Sequence, residues 1–203
     1  MHLLKIDVSN KRTQILLTAQ KLFQEKGLGM ATMEDVARAA GMGKSSLYYY
    51  FKSKEEIFNA VLETEINEIL LETMKRISSQ THLLGKLVAF ATVKFEMARK
   101  RKSLYSAMEA GMDAEALSRY NELKKKVHLK YLEREKIILQ QLLIHGSDTR
   151  EISALGVKEL EQAIFIFLSA LRGMNREVNL YGTIEQADEL MPAFCQLFYQ
   201  GLQ

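Results

Sequence analysis

Between Thr32 and Lys54 the chain concentrates side chains suited to holding a polyanion. Lys44, Ser45, Ser46, Tyr48 and Tyr49 stand almost consecutively, with Thr32 before them and Lys54 after. Ammonium groups neutralise phosphate, and hydroxyls or open backbone N–H groups bond phosphate oxygens and base edges. Thr32, at a helix start, would offer its hydroxyl and a free backbone N–H to a phosphate. Bond-making chemistry has far less support. His2, His82, His128 and His145 are scattered, with no second ligand at metal-binding spacing. Glu63, Glu65, Glu68 and Glu72 read as a charged, solvated helix face. The chain has neither a glycine-rich phosphate loop nor a nucleophile elbow. No enzymatic activity, metal or cofactor is expected.

Two short helical patterns must position these groups. Thr32 with Asp35 three residues on has the spacing of a capping box. Met33, Val36, Ala37 and Ala40 then fall on one apolar stripe. Gly41 ends this helix, and Gly41 and Gly43 suit a tight turn. A second helix follows over about Lys44 to Tyr50, with Leu47 and Phe51 inward. Adjacent helical residues point about 100° apart, so at least one of Tyr48 and Tyr49 must show its hydroxyl to solvent. Helix, tight turn and short helix with a polar, aromatic outer face make a helix-turn-helix, whose second helix enters the DNA major groove.

The run from Lys11 to about Glu63, above all LYYYFKSKEEIF from Leu47 to Phe58, resembles the N-terminal domain of TetR-type transcriptional regulators. The resemblance covers about a quarter of the chain. It implies that Gly43 to Tyr49 contains the recognition helix and that Tyr48 and Lys54 meet DNA phosphate. It also implies an effector site among the helices of the body and dimerisation through the last helices. Gly43 departs from the family, which often has serine or another small polar residue there.

Composition agrees with a helical protein whose positive charge sits in the reader. The 203 residues include 47% hydrophobic residues, one Pro and no Trp. Residues 1–53 hold eight Lys or Arg and four Asp or Glu, a net of +4, which leaves −1 of the overall +3 for the remainder. Phosphate neutralisation needs that asymmetry. The single Cys195 excludes an internal disulfide and reads as a buried structural thiol in a reducing compartment. No apolar run approaches a membrane span, and the first residues lack the core and cleavage site of a signal peptide. A cytoplasmic protein is expected.

Along the chain, residues 1 to about 9 read as a mobile basic arm, with Lys5, Lys11 and Arg12 placed to reach the DNA backbone or minor groove. Ser9 or Asn10 would cap a first helix carrying Ile15, Leu16, Ala19, Leu22 and Phe23 inward and stopped by Gly27. Ser53 and Glu56 make a second capping box, which starts a helix to about Ile77. At 1.5 Å per residue that rod is about 36 Å long, enough to belong to both a reader domain, 1–53, and a helical body, 54–203. Further helices are expected over about His82 to Arg101, Ser103 to Ala110 with a break at Gly111, and Asp113 to Ile144. A loop over His145 to Gly156 and helices over Val157 to Leu180 and Ile184 to Leu202 complete the chain. Thr183 and Gln186 would cap the last helix, and Pro192 would kink or restart it near Leu190.

The body is richer in large, adaptable side chains than a bare dimerisation device needs. Phe90, Phe95, Met97, Tyr105, Met108, Met112, Tyr120, Tyr131 and Phe165 are the candidates for lining an effector cavity. AIFIFLSAL, Ala163 to Leu171, is apolar on more than one face and should be buried on two sides. Ser169, Ala170, Gly173, Phe194, Leu197 and Phe198 are the candidates for a two-fold interface built as a four-helix bundle. The expected fold is therefore all-α, with an N-terminal three-helix DNA-binding domain joined by a long helix to a helical ligand-binding and dimerisation domain. The expected function is a homodimeric repressor that holds a pseudo-palindromic double-stranded operator until a small apolar or amphipathic effector releases it. An activator of the same fold, or a helical ligand- or partner-binding protein that does not read DNA, would share these features.

Overall fold

The computed structural model describes residues 2–109, 112–181 and 187–203, with side chains throughout these except at 2–9, 98–108, 179, 181, 187 and 188. The chain is all-α. Its helices are α1 (His2–Lys26), α2 (Met33–Ala39), α3 (Lys44–Tyr50), α4 (Lys54–Ser78), α5 (Leu83–Glu109), α6 (Ala114–Asp148), α7 (Val157–Tyr181) and α8 (Ala187–Gln200). They divide into two compact units, Met1–Asn67 with Arg101–Leu129, and Glu68–Lys100 with Lys130–Gln203. The stretch 1–53 lies wholly within the first. Among the described residues no helix is long and apolar enough to cross a membrane.

In the first unit, α2 and α3 are seven residues each, too short to persist alone. Both are fixed at their ends and along one face. Thr32 and Asp35 form a full capping box: the Asp35 N–H donates to Thr32 Oγ1 at 3.1 Å and the Thr32 N–H to Asp35 Oδ2 at 3.0 Å. At the other end Gly41 takes φ +65°, with bonds from Met42 N–H to the Ala37 carbonyl at 2.9 Å and from Gly41 N–H to the Arg38 carbonyl at 3.1 Å. That pair of bonds is a Schellman motif, and a side chain at position 41 would strain it. Inward, Val36, Leu47 and Phe51 are fully buried with Ile15, Ala19 and Phe23 of α1. Burying each large apolar side chain stabilises by about 1.5–3 kcal/mol, against about 1 kcal/mol for a typical cap. Phe23 meets Phe58 edge-on at 6.3 Å, and Phe58 stacks on Tyr120 at 5.0 Å. α4 starts at Lys54 as expected: Ser53 Oγ accepts the Glu56 N–H, while the Glu56 carboxylate accepts the Lys52 N–H, one residue before the partner of a full capping box.

The second unit has a core centred on Phe167 of α7, which contacts Phe90, Phe194 and Phe198 at centroid distances of 6.0, 5.1 and 4.8 Å. Ala163, Ile164, Phe167, Leu168 and Leu171 are buried, whereas Phe165 and Ile166 stand 69% and 56% exposed. The two-faced apolar pattern of α7 is thus one buried stripe and one bare one. Cys195 is buried in this core, and burial pushes its thiol up to about 12.

Several boundaries differ from the sequence reading. α1 begins at His2, so the stretch expected as an arm is helical and Ser9 and Asn10 are not caps; nothing among residues 2–9 breaks a helix already propagating. α5 runs through to Glu109, merging two expected helices, because the basic run at 99–102 contains no stop signal. The expected break at Gly111 and cap at Thr183 and Gln186 lie outside the described residues. Pro192 sits inside α8 without ending it. α6 continues past His145 to Asp148, and Gly146 serves close packing there, not a turn: a Cβ would stand 2.4 Å from Leu83 Cδ2. Glu65, expected in a solvated face, is buried and accepts a bond from Gln20 Nε2 at 2.8 Å.

Two outcomes are expected. Gly146→Ala gains roughly 0.5–1 kcal/mol of helix propensity, but overpacking against buried Leu83 costs about 1–3 kcal/mol; urea unfolding should show a net loss, and an unchanged midpoint would contradict the close approach. Asp35 is held down to about 2, first by its bond from Lys26 and then by those from Thr32. A depressed carboxylate stabilises above its unfolded-state value and loses that contribution as pH falls toward the folded value. The stability gap between the parent and Asp35→Asn should therefore be full at pH 6 and shrink between about pH 4 and pH 2.

Candidate nucleic-acid interface

α3 turns Leu47 into the core and leaves Lys44, Ser45, Ser46, Tyr48 and Tyr49 exposed on one outer surface. Tyr49 is 74% exposed, so its hydroxyl and ring edge are free to meet a partner, while Tyr48 is 36% exposed. Tyr50 steadies Tyr49 by an edge-on contact at 5.3 Å. Gly43 is the N-cap of α3 and supplies no side-chain bond. A groove of about 480 Å³ runs along this face, lined by Lys11 and Gln14 of α1, by the α2–α3 turn and by Ser46, Tyr49 and Tyr50. Gln14 escaped the sequence reading because a polar residue on the outer stripe of a long helix carries no local signal. It comes to line the groove once α1, the α2–α3 turn and α3 are packed together.

The cations divide by role. Lys44 pairs with Glu34 on the outer face of α2, which lowers the Glu34 carboxyl and raises the Lys44 ammonium, and its Nζ lies 5.9 Å from the Tyr48 ring centre. Arg12 lies over the Phe51 ring at 4.9 Å. Lys54 donates instead to the Leu28 and Gly29 carbonyls, at 2.8 and 3.3 Å, and so ties the start of α4 to the α1–α2 connection. Thr32 is exposed, but its backbone N–H and hydroxyl both donate to Asp35 Oδ2, so the free N–H expected there is occupied by the capping box.

The effector candidates do not form one wall. Met112 and Tyr120 line a cleft of about 220 Å³ in the first unit, with Leu28, Lys54 and Phe58. Phe90, Phe95 and Tyr131 are buried in the second unit, and Met97 is half-buried. Phe165 faces solvent and lines no interior site, because it lies off the buried stripe of α7. The side chains of Tyr105 and Met108 lie outside the described ones. Of the interface candidates, Phe194 and Phe198 pack on Phe167, Ser169 and Ala170 are half-buried, and Leu197 and Gly173 face outward, with nothing near a Cβ at Gly173. A surface groove of about 480 Å³ beside them includes Ala163, Ile166, Leu197 and Phe198. Among the described residues no group of three or more His, Cys, Asp or Glu could hold a metal ion.

Residues 15–61, which span α2, α3 and the facing parts of α1 and α4, match the family described as bacterial regulatory proteins, tetR family. The chain is 33% identical over 88 residues to the HTH-type transcriptional repressor KstR2 of Rhodococcus jostii, an alignment covering 43% of each protein. It is 34% identical over 92 residues to the HTH-type transcriptional regulator RutR of Escherichia coli, covering 45% of this chain and 43% of RutR. The aligned part thus spans less than half the length of these relatives. Across nearly the whole chain the fold is that of a TetR/AcrR-family transcriptional regulator from Thermobifida fusca, with a TM-score of 0.64, 25% identity and coverage of 96% and 99%. It is also the fold of FadR from Bacillus subtilis, solved with stearoyl-CoA, with a TM-score of 0.64, 18% identity and coverage of 94% and 99%. The N-terminal part of this chain is a helix-turn-helix domain of the tetR family of bacterial regulatory proteins.

Proposed function

We propose that the chain is a cytoplasmic, homodimeric transcriptional repressor, without enzymatic activity, that binds a pseudo-palindromic operator and is released by a small apolar or amphipathic effector. The observation that carries this reading is the exposed Lys44, Ser45, Ser46, Tyr48 and Tyr49 surface on a helix locked to its neighbour by a glycine turn. Two copies of α3 would enter successive major grooves. Lys44 and Tyr48 would meet phosphate, Tyr49, Ser45 and Ser46 would lie nearest the base edges, and Thr32 and Lys54 would act mainly by holding the reader in shape. That the similar protein KstR2 is a repressor supports repression.

Residues 1–53 would read DNA, and 54–203 would bind effector and partner. The bare stripe of Phe165 and Ile166, with Leu197, would meet its two-fold copy alongside Ser169, Ala170, Gly173, Phe194 and Phe198. Covering such a stripe removes apolar area from water at about 25 cal/mol per Å². The single helix α4 contributes residues to both units, so an effector that favours a differently tilted α4 would misplace the two readers. Such coupling typically amounts to about 1–3 kcal/mol, a roughly 5- to 150-fold change in operator affinity.

Selection of duplexes from a random DNA pool tests the reading. The parent should enrich a two-fold symmetric motif and Tyr49→Ala should not; enrichment of no motif by the parent at low salt would overturn the DNA-binding function. On the selected duplex, Lys44→Ala leaves one phosphate per monomer without its cation. The dependence of log K on log salt should then become shallower by about 0.9 per monomer. An unchanged slope would show that Lys44 neutralises no phosphate.

A further inference from the structure

Inside the second unit, Lys94 of α5 pairs with Glu135 of α6, their side chains only 12% and 2% exposed. Tyr131, one turn before Glu135, sets its ring 5.1 Å from the Lys94 ammonium. Phe90, one turn before Lys94, is buried in the same unit. Glu135 Oε1 accepts from Lys94, but Oε2 is buried with no hydrogen-bond partner. Native proteins rarely leave a buried carboxylate oxygen without a donor, because the lost hydration is then uncompensated. One unmet acceptor among aromatic and apolar side chains is also how small-molecule sites fix the orientation of an apolar guest.

We propose that Glu135 Oε2 is the polar anchor of the effector site and that its ligand is a neutral, largely apolar molecule carrying one hydroxyl or amide N–H donor. This rests on the effector-responsive reading above and narrows its chemical class. Charge decides the class. The Lys94–Glu135 pair is neutral as it stands, so a carboxylate or phosphate ligand would bring a like charge against Oε2. An ammonium ligand would satisfy Oε2 but place a second cation beside Lys94, where low dielectric magnifies repulsion. An ether or ketone offers acceptors alone and leaves Oε2 unmet. A neutral donor completes the site without either penalty.

Calorimetric titration of the full chain tests this with two apolar skeletons, linear decyl and decahydronaphthyl, each as alcohol, methyl ether, carboxylate and ammonium. With at least one skeleton the alcohol should bind about tenfold or more tightly than its methyl ether, as befits a hydrogen bond to a charged acceptor. The carboxylate and ammonium forms should bind more weakly than the alcohol. In Glu135→Gln, Lys94 keeps the carbonyl oxygen, the amide NH₂ replaces Oε2, and the preference for alcohol over ether should vanish. The double variant Lys94→Met with Glu135→Leu removes both charges together, a change that buried pairs commonly tolerate, and should lose the preference too. Equal binding of alcohol and ether, a preference that survives Glu135→Gln, or no binding of either alcohol would overturn the site. Alcohol binding that leaves the selected DNA duplex bound would uphold the site and refute the effector reading, while loss of the site with intact sequence-specific DNA binding would leave the reader standing.

Discussion

The functional surface depends on keeping two seven-residue helices folded while one of them shows its polar side to solvent. Neither length supports a helix in water. The capping box of Thr32 and Asp35, the left-handed Gly41 and the burial of Val36, Leu47 and Phe51 on α1 supply what length does not. Because the inward positions hold α3 in place, its outward positions are released from any packing duty. Lys44, Ser45, Ser46, Tyr48 and Tyr49 can therefore be chosen for what they touch outside the chain. Lys54 also serves this scaffold, since its ammonium closes on the Leu28 and Gly29 carbonyls.

The second unit follows a different logic. Phe167 gathers Phe90, Phe194 and Phe198 into one aromatic core, and the opposite stripe of α7 stays bare. Within that apolar setting the Lys94–Glu135 pair is costly to bury and incompletely satisfied. A unit built only to dimerise would gain more from a hydrocarbon pair at those positions. A ligand donor held at Glu135 Oε2, as proposed, would account for keeping the pair.

The reader was legible in the sequence and the body only in outline. Capping residues, glycines and a run of three tyrosines are local signals, so α2, the turn and α3 could be placed to within a residue. The rod α4 was equally clear from its period and its cap. Long-range packing was not. Gly146 looks like a turn residue until Leu83 is seen against it, Glu65 looks solvated until Gln20 meets it, and Phe165 looks like a cavity wall until α7 shows which stripe is buried. Lys94 and Glu135 lie 41 residues apart, and neither carries a local sign of the other. Thr32 shows the converse case, a residue whose cap role was readable and whose free N–H proved to be engaged.

The claim on which the account stands is that α3 reads DNA from the major groove. Methylation interference on a duplex selected by the parent protein measures this directly, because dimethyl sulfate marks guanine N7 in the major groove and adenine N3 in the minor groove. The account expects interference at guanine N7 positions repeated symmetrically in two half-sites, about one helical turn apart. Interference confined to adenine N3, or none in a duplex that is nonetheless bound, would contradict it.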